Sequence, residues 1–301
     1  MELLISVIMS TYNESIKELD DSISSVLNQT YSNIEFIIIN DNPNNHVLDE
    51  YLSNVTDDRV KIVKNEKNIG LVKSLNKALQ LARGEYIARM DADDIAMPNR
   101  LEIQKSFLEQ NSLDMVGCDI QLINEKGDII KERMHFPSEH KNIQKYIQWG
   151  NCIAHPTWFV KKDVYVELKG YRNVKSCEDY DFILRVLDSS KYKLGNVPYI
   201  GLKYRIREKG ISMSTDCIQY VLRRFLSKNR NRINDLSEKA IEEHQNTSDF
   251  NRNVKLYKKY KDTKTEYKKC RNVYKLSGLL FNKYLYILAI EKYHLKEREK
   301  M

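Results

Sequence analysis

This chain of 301 residues lacks several features that define common classes of protein. Its five cysteines are odd in number and never occur in a Cys-x-x-Cys spacing, which argues against a disulfide framework or a zinc site and predicts reduced thiols. No stretch reaches the roughly 18–20 apolar residues that a membrane-spanning helix needs. The amino-terminal MELLISVIMSTYNES also lacks the basic start of a signal peptide. We therefore expect a soluble, cytoplasmic protein that is at most peripheral to a membrane.

Positive charge is concentrated at the carboxyl-terminal end of the chain. Residues 217–301 contain 21 Lys and Arg but 10 Asp and Glu, while the net charge of the whole chain is +7, so the preceding residues are net acidic. Such an asymmetry predicts two regions with different partners. We place the boundary between residues 215 and 216.

The first part of the chain alternates between two hydrophobic patterns. Four short apolar runs predict strands, at residues 4–10, 33–40, 59–65 and 85–90. Apolar residues at helical spacing predict helices, at residues 16–27, 71–82 (ending at Gly84) and 99–111 (opened by Pro98). Because runs such as FIII are apolar on both faces, the pattern predicts a mostly parallel α/β sheet flanked by helices. A hairpin is predicted over residues 113–133, with its turn at 125–128.

Three polar clusters follow predicted strands, where open α/β sheets bind their ligands. The clusters are Ser10–Asn13, Asn40–Asn42 and Asp91–Asp94. Asp91, Asp93 and Asp94 repel one another unless a cation neutralises them, so the last cluster is either a solvated turn or a metal site. Neither the Gly-x-Gly-x-x-Gly fingerprint nor the P-loop motif is present, which argues against both of those nucleotide sites.

A predicted helix at residues 176–190 carries Glu178, Asp179 and Asp181 in its first turn. Acidic side chains are favoured at a helix N-terminus, because they complement the helix dipole. From the residues alone, dipole compensation and a catalytic role are equally acceptable interpretations.

In their order along the chain, these segments resemble the family 2 glycosyltransferases, which have the GT-A fold. The matching segments are ISVIMSTYNES, SISSVLNQTYSNIEFIIIND, NIGLVKSLNKAL, ARGEYIARMDADDIAMPNRLEIQ, AHPTWFVKKDVYVELKGY and CEDYDFILRV. Sugar-nucleotide pyrophosphorylases share the fold but would have a Gly-rich, basic loop after the first strand, where this chain has TYNES. The resemblance implies a GT-A catalytic domain at residues 1–215, with a nucleotide-binding half at about 1–112 and an acceptor half at about 113–215.

The resemblance further implies a nucleotide-sugar donor, a UDP-sugar in particular, and Mn²⁺ or Mg²⁺ as the cofactor. Thr11, Tyr12 and Asn13 would contact the nucleotide, with the Tyr12 ring against the base. Asp41 would accept a hydrogen bond from uracil N3–H. Asp91 would bond the ribose or a metal-bound water, Asp93 together with Asp91 would hold the cation, and Asp94 would orient its neighbours.

For the acceptor side, the resemblance implies that Asp179 is the general base of an inverting transfer. Glu178 would contact the acceptor or orient that base, whereas Asp181 would be structural. The family often has a His in the strand after the base helix, but this chain has Arg207 there. We expect Arg207, with Arg205, to pair with the leaving diphosphate of the nucleotide.

Two further interpretations concern His155 and the basic tail. His155 in AHPTW is interpreted as a packing or acceptor-side residue rather than a metal ligand. Residues 216–301 predict helices rich in Lys and Tyr, with an apolar run at 276–290. Such a tail suits an anionic membrane surface, and packing on the catalytic domain or self-association into a homo-oligomer is the alternative. No recognition motif for nucleic acid accompanies the charge, so no nucleic-acid partner is expected.

The expected function is therefore inverting, metal-dependent glycosyl transfer to a glycan or lipid-linked acceptor. The setting would be synthesis of a bacterial surface or capsular polysaccharide at the inner face of the cell membrane. A non-catalytic scaffold that binds nucleotide-sugars or carbohydrate with the same fold is the alternative, although the intact Asp93 and Asp179 argue against it.

Overall fold

The computed structural model of the protein describes residues 2–207, 216–270 and 282–298. Its strands are β1 (Ile5–Thr11), β2 (Ile34–Asn40), β3 (Val60–Lys64), β4 (Tyr86–Arg89), β5 (Ile95–Ala96), β6 (Met115–Ile123), β7 (Ile129–Met134), β8 (Phe159–Lys161) and β9 (Leu194–Arg205). Its helices are α1 (Ile16–Leu27), α2 (His46–Ser53), α3 (Leu71–Leu81), α4 (Arg100–Gln110), α5 (His140–Tyr146), α6 (Lys162–Glu167), α7 (Glu178–Asp188), α8 (Asp216–Lys228), α9 (Glu238–Gln245), α10 (Ser248–Cys270) and α11 (Lys283–Arg298).

All of these strands belong to one mixed sheet, in the order β3-β2-β1-β4-β8-β6-β9-β5, with β7 paired to β6. The parallel part predicted from the sequence is confirmed, because β1 pairs in parallel with β2 and β4, and β2 pairs in parallel with β3. β8 is antiparallel to both of its neighbours, and the predicted hairpin is confirmed as β6 and β7. The α/β fold flanked by helices is thus the one that the sequence predicts.

Buried strands and capped helices account for the first half of the fold. All seven residues of β2 are buried, as expected for a strand covered on both faces. Helix α1 begins with a capping box, in which Ser15 accepts from the backbone N–H of Glu18 and Glu18 accepts from that of Ser15. The helix then packs Leu19, Ile23 and Val26 against the sheet.

Two details of the first half differ from the sequence prediction. Helix α2 was not predicted, although a parallel pair such as β2 and β3 needs a crossover connection. Its N-cap is Asn45, within the DNPNN segment that predicted only a turn. Gly84 does not end α3, which stops at Leu81. Instead, a Cβ at Gly84 would lie 2.6 Å from the carbonyl oxygen of Leu4, so the residue allows two backbone segments to approach each other.

The described part of the basic tail packs on the catalytic part of the chain. Leu222 and Leu226 of α8 are fully buried and belong to the same core cluster as Ile8, Trp158 and Tyr180. Packing on the catalytic part is therefore observed for α8, and contact of the tail with a membrane surface stays a prediction. Part of the apolar run at 276–290 lies outside the described residues, and the domain boundary at 215/216 stays a prediction. Among the helices of the described ranges, none has the length and hydrophobicity of a membrane span.

Candidate active site

The loop after β1 presents the ring of Tyr12 to solvent. One carboxylate oxygen of Glu14 accepts from the Thr11 hydroxyl at 2.6 Å, from the Tyr12 N–H at 2.8 Å and from the Asn13 N–H at 3.1 Å. These bonds shape the loop and leave the Tyr12 side chain 44% exposed. The predicted nucleotide contacts of these residues stay predictions, and Tyr12 is the one whose side chain is available for stacking.

Asp41, at the end of β2, is buried and holds the start of α3. One of its oxygens accepts from Asn65 Nδ2 at 2.8 Å and from the Ile69 N–H at 2.9 Å. The other oxygen accepts from the Gly70 N–H at 2.9 Å. Since a carboxylate offers about four acceptor sites, one is left for a ligand such as uracil N3–H.

Asp91, Asp93 and Asp94 converge after β4. One carboxylate oxygen from each lies within 4.8 Å of the others. Burial, the Asp91 charge and other acidic neighbours raise the pKa of Asp93 to about 7, although Arg207 opposes the shift. The pKa of Asp94 is raised well above its usual value by burial and by the charges of Asp91 and Asp93. The sequence prediction of a crowded acidic cluster is thus confirmed in its geometry.

The chemistry of this cluster fits a divalent cation. In the described part of the chain, the buried Oδ2 atom of Asp94 has no hydrogen-bond partner, whereas its Oδ1 atom accepts from the Arg205 N–H at 2.8 Å. A buried carboxylate oxygen that has no partner and lies beside two further carboxylates destabilises the folded state unless a positive charge neutralises the group. Oxygen ligands of this type are those that Mg²⁺ and Mn²⁺ prefer.

Arg205 and Arg207 make different contacts, although the sequence interpretation gave them one shared role. The buried Arg205 guanidinium donates to the carbonyl oxygens of Asp93, Asn124 and Glu125, at 2.8, 3.2 and 3.1 Å. These bonds connect the Asp91–Asp94 segment to the β6–β7 turn, so the Nε and Nη1 atoms of Arg205 have a structural role. Arg207 instead forms ion pairs with Asp93 at 3.0 Å and with Glu18 at 3.1 Å.

The N-terminus of α7 presents Glu178 and Asp179 as a second carboxyl pair. The carboxylate of Asp179 accepts from Asn151 Nδ2 and from the Tyr180 N–H, each at 2.7 Å. Burial raises the pKa of Asp179, and burial together with the Asp179 charge raises that of Glu178 to about 7. A carboxyl group that titrates near neutrality is suited to general acid–base work.

Asp181, in the same turn, is structural, as the resemblance implied. It is fully buried and forms ion pairs with Arg172 and with Arg185, whose Nε lies 2.9 Å from the carboxylate. His155 is likewise a packing residue: its Nε2 lies 3.0 Å from the Tyr171 hydroxyl, and its ring lies against Trp158.

The sequence interpretation missed Arg89, the last residue of β4. Its side chain is only 3% exposed and forms an ion pair with Asp91. Burial raises the pKa of Glu178 and Asp179, and the positive charge of Arg89 opposes that shift at both. Arg89 therefore acts on both the acidic cluster after β4 and the carboxyl pair of α7. A basic residue inside a buried strand, directly before the acidic cluster, was the signal in the sequence that could have found it.

Comparison with known proteins places these features in a family context. The model of Glycosyl transferase family 2 matches residues 6–168. An uncharacterized glycosyltransferase of Methanocaldococcus jannaschii is 41% identical over 206 residues, which are 67% of this chain and 71% of that protein. The O-antigen biosynthesis glycosyltransferase WbnJ of Escherichia coli is 42% identical over 233 residues, covering 75% of this chain and 90% of WbnJ.

A third relative has a name that states its acceptor. The UDP-Glc:alpha-D-GlcNAc-diphosphoundecaprenol beta-1,3-glucosyltransferase WfgD of Escherichia coli is 30% identical over 212 residues, covering 70% of this chain and 80% of WfgD. All three relatives are named as glycosyltransferases of one kind or another, and the name of WbnJ adds O-antigen biosynthesis.

Solved structures share the fold at low sequence identity. S. aureus TarS in complex with UDP-GlcNAc superposes with a TM-score of 0.59 and 20% identity, covering 79% of this chain and 69% of that one. The mannosyltransferase PcManGT from Pyrobaculum calidifontis, in complex with GDP-Man and Mn²⁺, has a TM-score of 0.56 and 14% identity, covering 79% and 68%. At these identities the likeness establishes the GT-A fold alone.

Proposed function

This chain belongs to glycosyl transferase family 2, and we propose that it transfers a sugar from a nucleotide-sugar to a hydroxyl group of a glycan or lipid-linked acceptor, with inversion at the anomeric carbon. The observation that carries the proposal is the presence of two acidic groups in one site, of which one would hold a cation and the other would accept a proton. One is the cluster after β4, and the other is the carboxyl pair at the start of α7. Arg89 pairs with Asp91 of the first group and acts electrostatically on the second.

The donor is a nucleotide-sugar whose base lies against Tyr12. The exposed Tyr12 ring and the remaining acceptor site of Asp41 support a uracil base, and hence a UDP-sugar. TarS was solved with UDP-GlcNAc and PcManGT with GDP-Man, so proteins with this fold bind more than one base. The sugar depends on pocket shape.

Asp91, Asp93 and Asp94 would hold Mn²⁺ or Mg²⁺. Such a cation neutralises diphosphate charge and acts as a Lewis acid in this class of site. Arg207, which contacts Asp93, would interact with the same diphosphate through its guanidinium group. The cation and Arg207 would together provide positive charge for the anionic leaving group.

Asp179 acts as the general base. It takes the proton from the acceptor hydroxyl while the hydroxyl oxygen forms a bond to the anomeric carbon and the bond from that carbon to the diphosphate breaks. The hydrogen bonds from Asn151 and the Tyr180 N–H hold its carboxylate in one orientation. Glu178, beside it, orients the base or contacts the acceptor.

The acceptor is a glycan, or a glycan on a lipid carrier, at the surface of an anionic membrane. WbnJ is named for O-antigen biosynthesis and WfgD for transfer to a sugar on diphosphoundecaprenol, which supports a role in polysaccharide synthesis. On α11, Ile290 and Tyr293 are 51% and 61% exposed within the basic tail. Exposed apolar side chains among lysines suit the surface of an anionic bilayer.

Nucleotide release from a panel of UDP-, dTDP- and GDP-sugars tests this function. With Mn²⁺, we expect release from at least one donor by the wild-type protein, little release in EDTA, and little release by the Asp179→Asn variant. A non-catalytic scaffold of the same fold would bind a donor and release no nucleotide under any of these conditions. That last result would contradict the proposal.

A further inference from the structure

A cleft of about 280 Å³ opens beside Asp179, and the tail forms one of its walls. Asn151 and Asp179 line it from the catalytic part of the chain. Gln219, Tyr220 and Arg223 line it from α8. The sequence interpretation placed every site residue before position 216, so the contribution of α8 beside the general base was not expected.

Arg223, which lines this cleft, has an unused hydrogen-bond donor. Its Nη1 atom is buried and, among the described residues, has no hydrogen-bond partner. Its Nη2 atom donates to Glu291 of α11 at 3.3 Å, and its guanidinium carbon lies 5.2 Å from the centre of the Tyr220 ring. These contacts fix the guanidinium group in place, so the free N–H group is positioned before any ligand arrives.

The charges around the cleft are unevenly distributed. Glu291 is shared by two arginines, since it also pairs with Arg224 at 2.6 Å. This cluster of Arg223, Arg224 and Glu291 therefore carries one net positive charge. Arg223 is the only basic residue among the described residues that line the cleft, and the carboxyl group of Asp179 lies on the same lining. One part of the cleft thus attracts an anion, while the part beside Asp179 repels it.

We propose that this cleft is the acceptor subsite and that Arg223 binds a phosphate group of the acceptor. This inference rests on the proposed function and adds the chemical class of the acceptor to it. A guanidinium group binds phosphate through paired N–H donors, and the phosphate neutralises the excess charge of the arginine cluster. The repulsion between phosphate and Asp179 then orients the acceptor, with its phosphate at Arg223 and its sugar hydroxyl at Asp179.

Geranyl diphosphate is a suitable probe of this site, and its binding to the full-length protein is measured by isothermal titration calorimetry in EDTA. Without a divalent cation, the acidic cluster of the donor site repels a diphosphate, so binding reports on the arginine cluster. We expect Arg223→Gln to weaken binding about tenfold or more, and Arg223→Lys to weaken it less, because Lys keeps the charge but not the planar fork. Inorganic pyrophosphate, titrated in parallel, separates recognition of the phosphate from contacts with the lipid chain.

Arg224→Gln is the comparison variant and should weaken binding less than Arg223→Gln does, because it removes the excess charge of the cluster but leaves the Arg223 donor that lines the cleft. Thermal melting checks that each variant is folded. Equal affinity of wild type and Arg223→Gln, an equal loss in Arg224→Gln, or no binding by the wild type would each overturn the subsite. Nucleotide release by the wild type is tested separately: its absence with every donor would contradict the proposed function, whereas release without diphosphate binding would contradict the subsite alone.

Discussion

The guanidinium group of Arg89 forms an ion pair with Asp91, while its Nε and Nη1 atoms are buried without a hydrogen-bond partner in the described part of the protein. A buried cation that uses only part of its donor capacity is costly to maintain. The acidic groups on both sides of the site explain its presence, since Arg89 also acts electrostatically on Glu178 and Asp179. We interpret Arg89 as a positioning residue that helps keep the catalytic carboxyl pair ionised.

Replacing Arg89 with Met should move the pH dependence of nucleotide release to higher pH. The base must be ionised, and burial raises the pKa of both Asp179 and Glu178, so activity of the wild type should fall as the pH is lowered through the raised pKa of the pair. Loss of the Arg89 charge raises both pKa values further. A shift of about one unit would lower the ionised fraction up to about tenfold at a pH below the pKa of the base. An Arg89→Lys variant should keep the wild-type profile, and an unshifted profile in Arg89→Met would remove the electrostatic role.

Replacing Asp93 with Asn should abolish tight Mn²⁺ binding and leave the fold intact. The substitution preserves size but removes one of the three carboxylates that converge after β4. We expect the dissociation constant for Mn²⁺, measured by electron paramagnetic resonance of the free ion, to rise about tenfold or more. The exposed Asp58→Asn variant is the control and should bind Mn²⁺ as the wild type does. Unchanged binding in Asp93→Asn would refute the metal assignment.

Replacing Asp179 with Asn should lower kcat by about 10²–10⁴, the usual contribution of a general base. Donor and Mn²⁺ binding should change little, because those contacts come from other side chains. Glu178→Gln should be milder and should appear mainly in the KM of the acceptor, if its role is binding. A near-normal kcat in Asp179→Asn together with an inactive Glu178→Gln variant would mean that Glu178, and not Asp179, is the general base.

Replacing Asp181 with Asn should destabilise the protein by about 3–5 kcal/mol, the usual cost of breaking a buried ion pair. Asp181 is buried between Arg172 and Arg185, and its loss would leave both arginines without their carboxylate. The matched control is Asp163→Asn, an exposed acidic residue in the first turn of α6, whose effect on the helix dipole is worth under about 1 kcal/mol. Urea unfolding measures both. Equal, small effects would mean that Asp181 only complements the helix dipole, as its sequence position alone would suggest.

Replacing Tyr293 with Glu should weaken binding to anionic lipid vesicles. Tyr293 is exposed on α11, within the basic tail, and a carboxylate there opposes both apolar insertion and attraction to anionic lipid. In a sedimentation assay, we expect the bound fraction to fall at low salt, and the wild-type fraction to fall as salt is added. Val166→Glu, at an exposed apolar position of α6, is the control. A Tyr293→Glu variant that sediments like the wild type would argue that the tail has a packing role alone.

Much of the nucleotide-binding half could be predicted from the sequence, because its signals are local. The apolar runs of β1, β2 and β4 end at polar clusters, and parallel pairing brings those ends to one edge of the sheet, with Thr11 opposite Asn40. The acidic cluster at Asp91–Asp94 needed only its spacing to be recognised. Helix α2 was missed because its N-cap residue, Asn45, lies in a segment whose Pro and Asn residues also favour turns.

The roles of single charged residues could not be predicted in the same way, because they depend on which side chains and carbonyl groups the folded chain brings around each of them. Arg205 and Arg207 have similar sequence surroundings. Arg205, however, is buried and donates to carbonyl oxygens of the distant β6–β7 turn, whereas Arg207 forms ion pairs with Asp93 and Glu18. Asp181 and Asp179 lie in one helical turn, but only Asp181 is enclosed by arginines.

The sequence by itself determined the family, the α/β fold and the identity of the two acidic groups, since hydrophobic period, strand-end chemistry and motif order are properties of short segments. Only the tertiary structure decided what surrounds those groups. It placed Arg89 where its charge acts on both, and it packed α8 against α7 so that Arg223 lines the cleft beside Asp179. Electrostatic interactions and burial act through space, and both Arg89 and Arg223 lie more than forty positions from Asp179 along this chain.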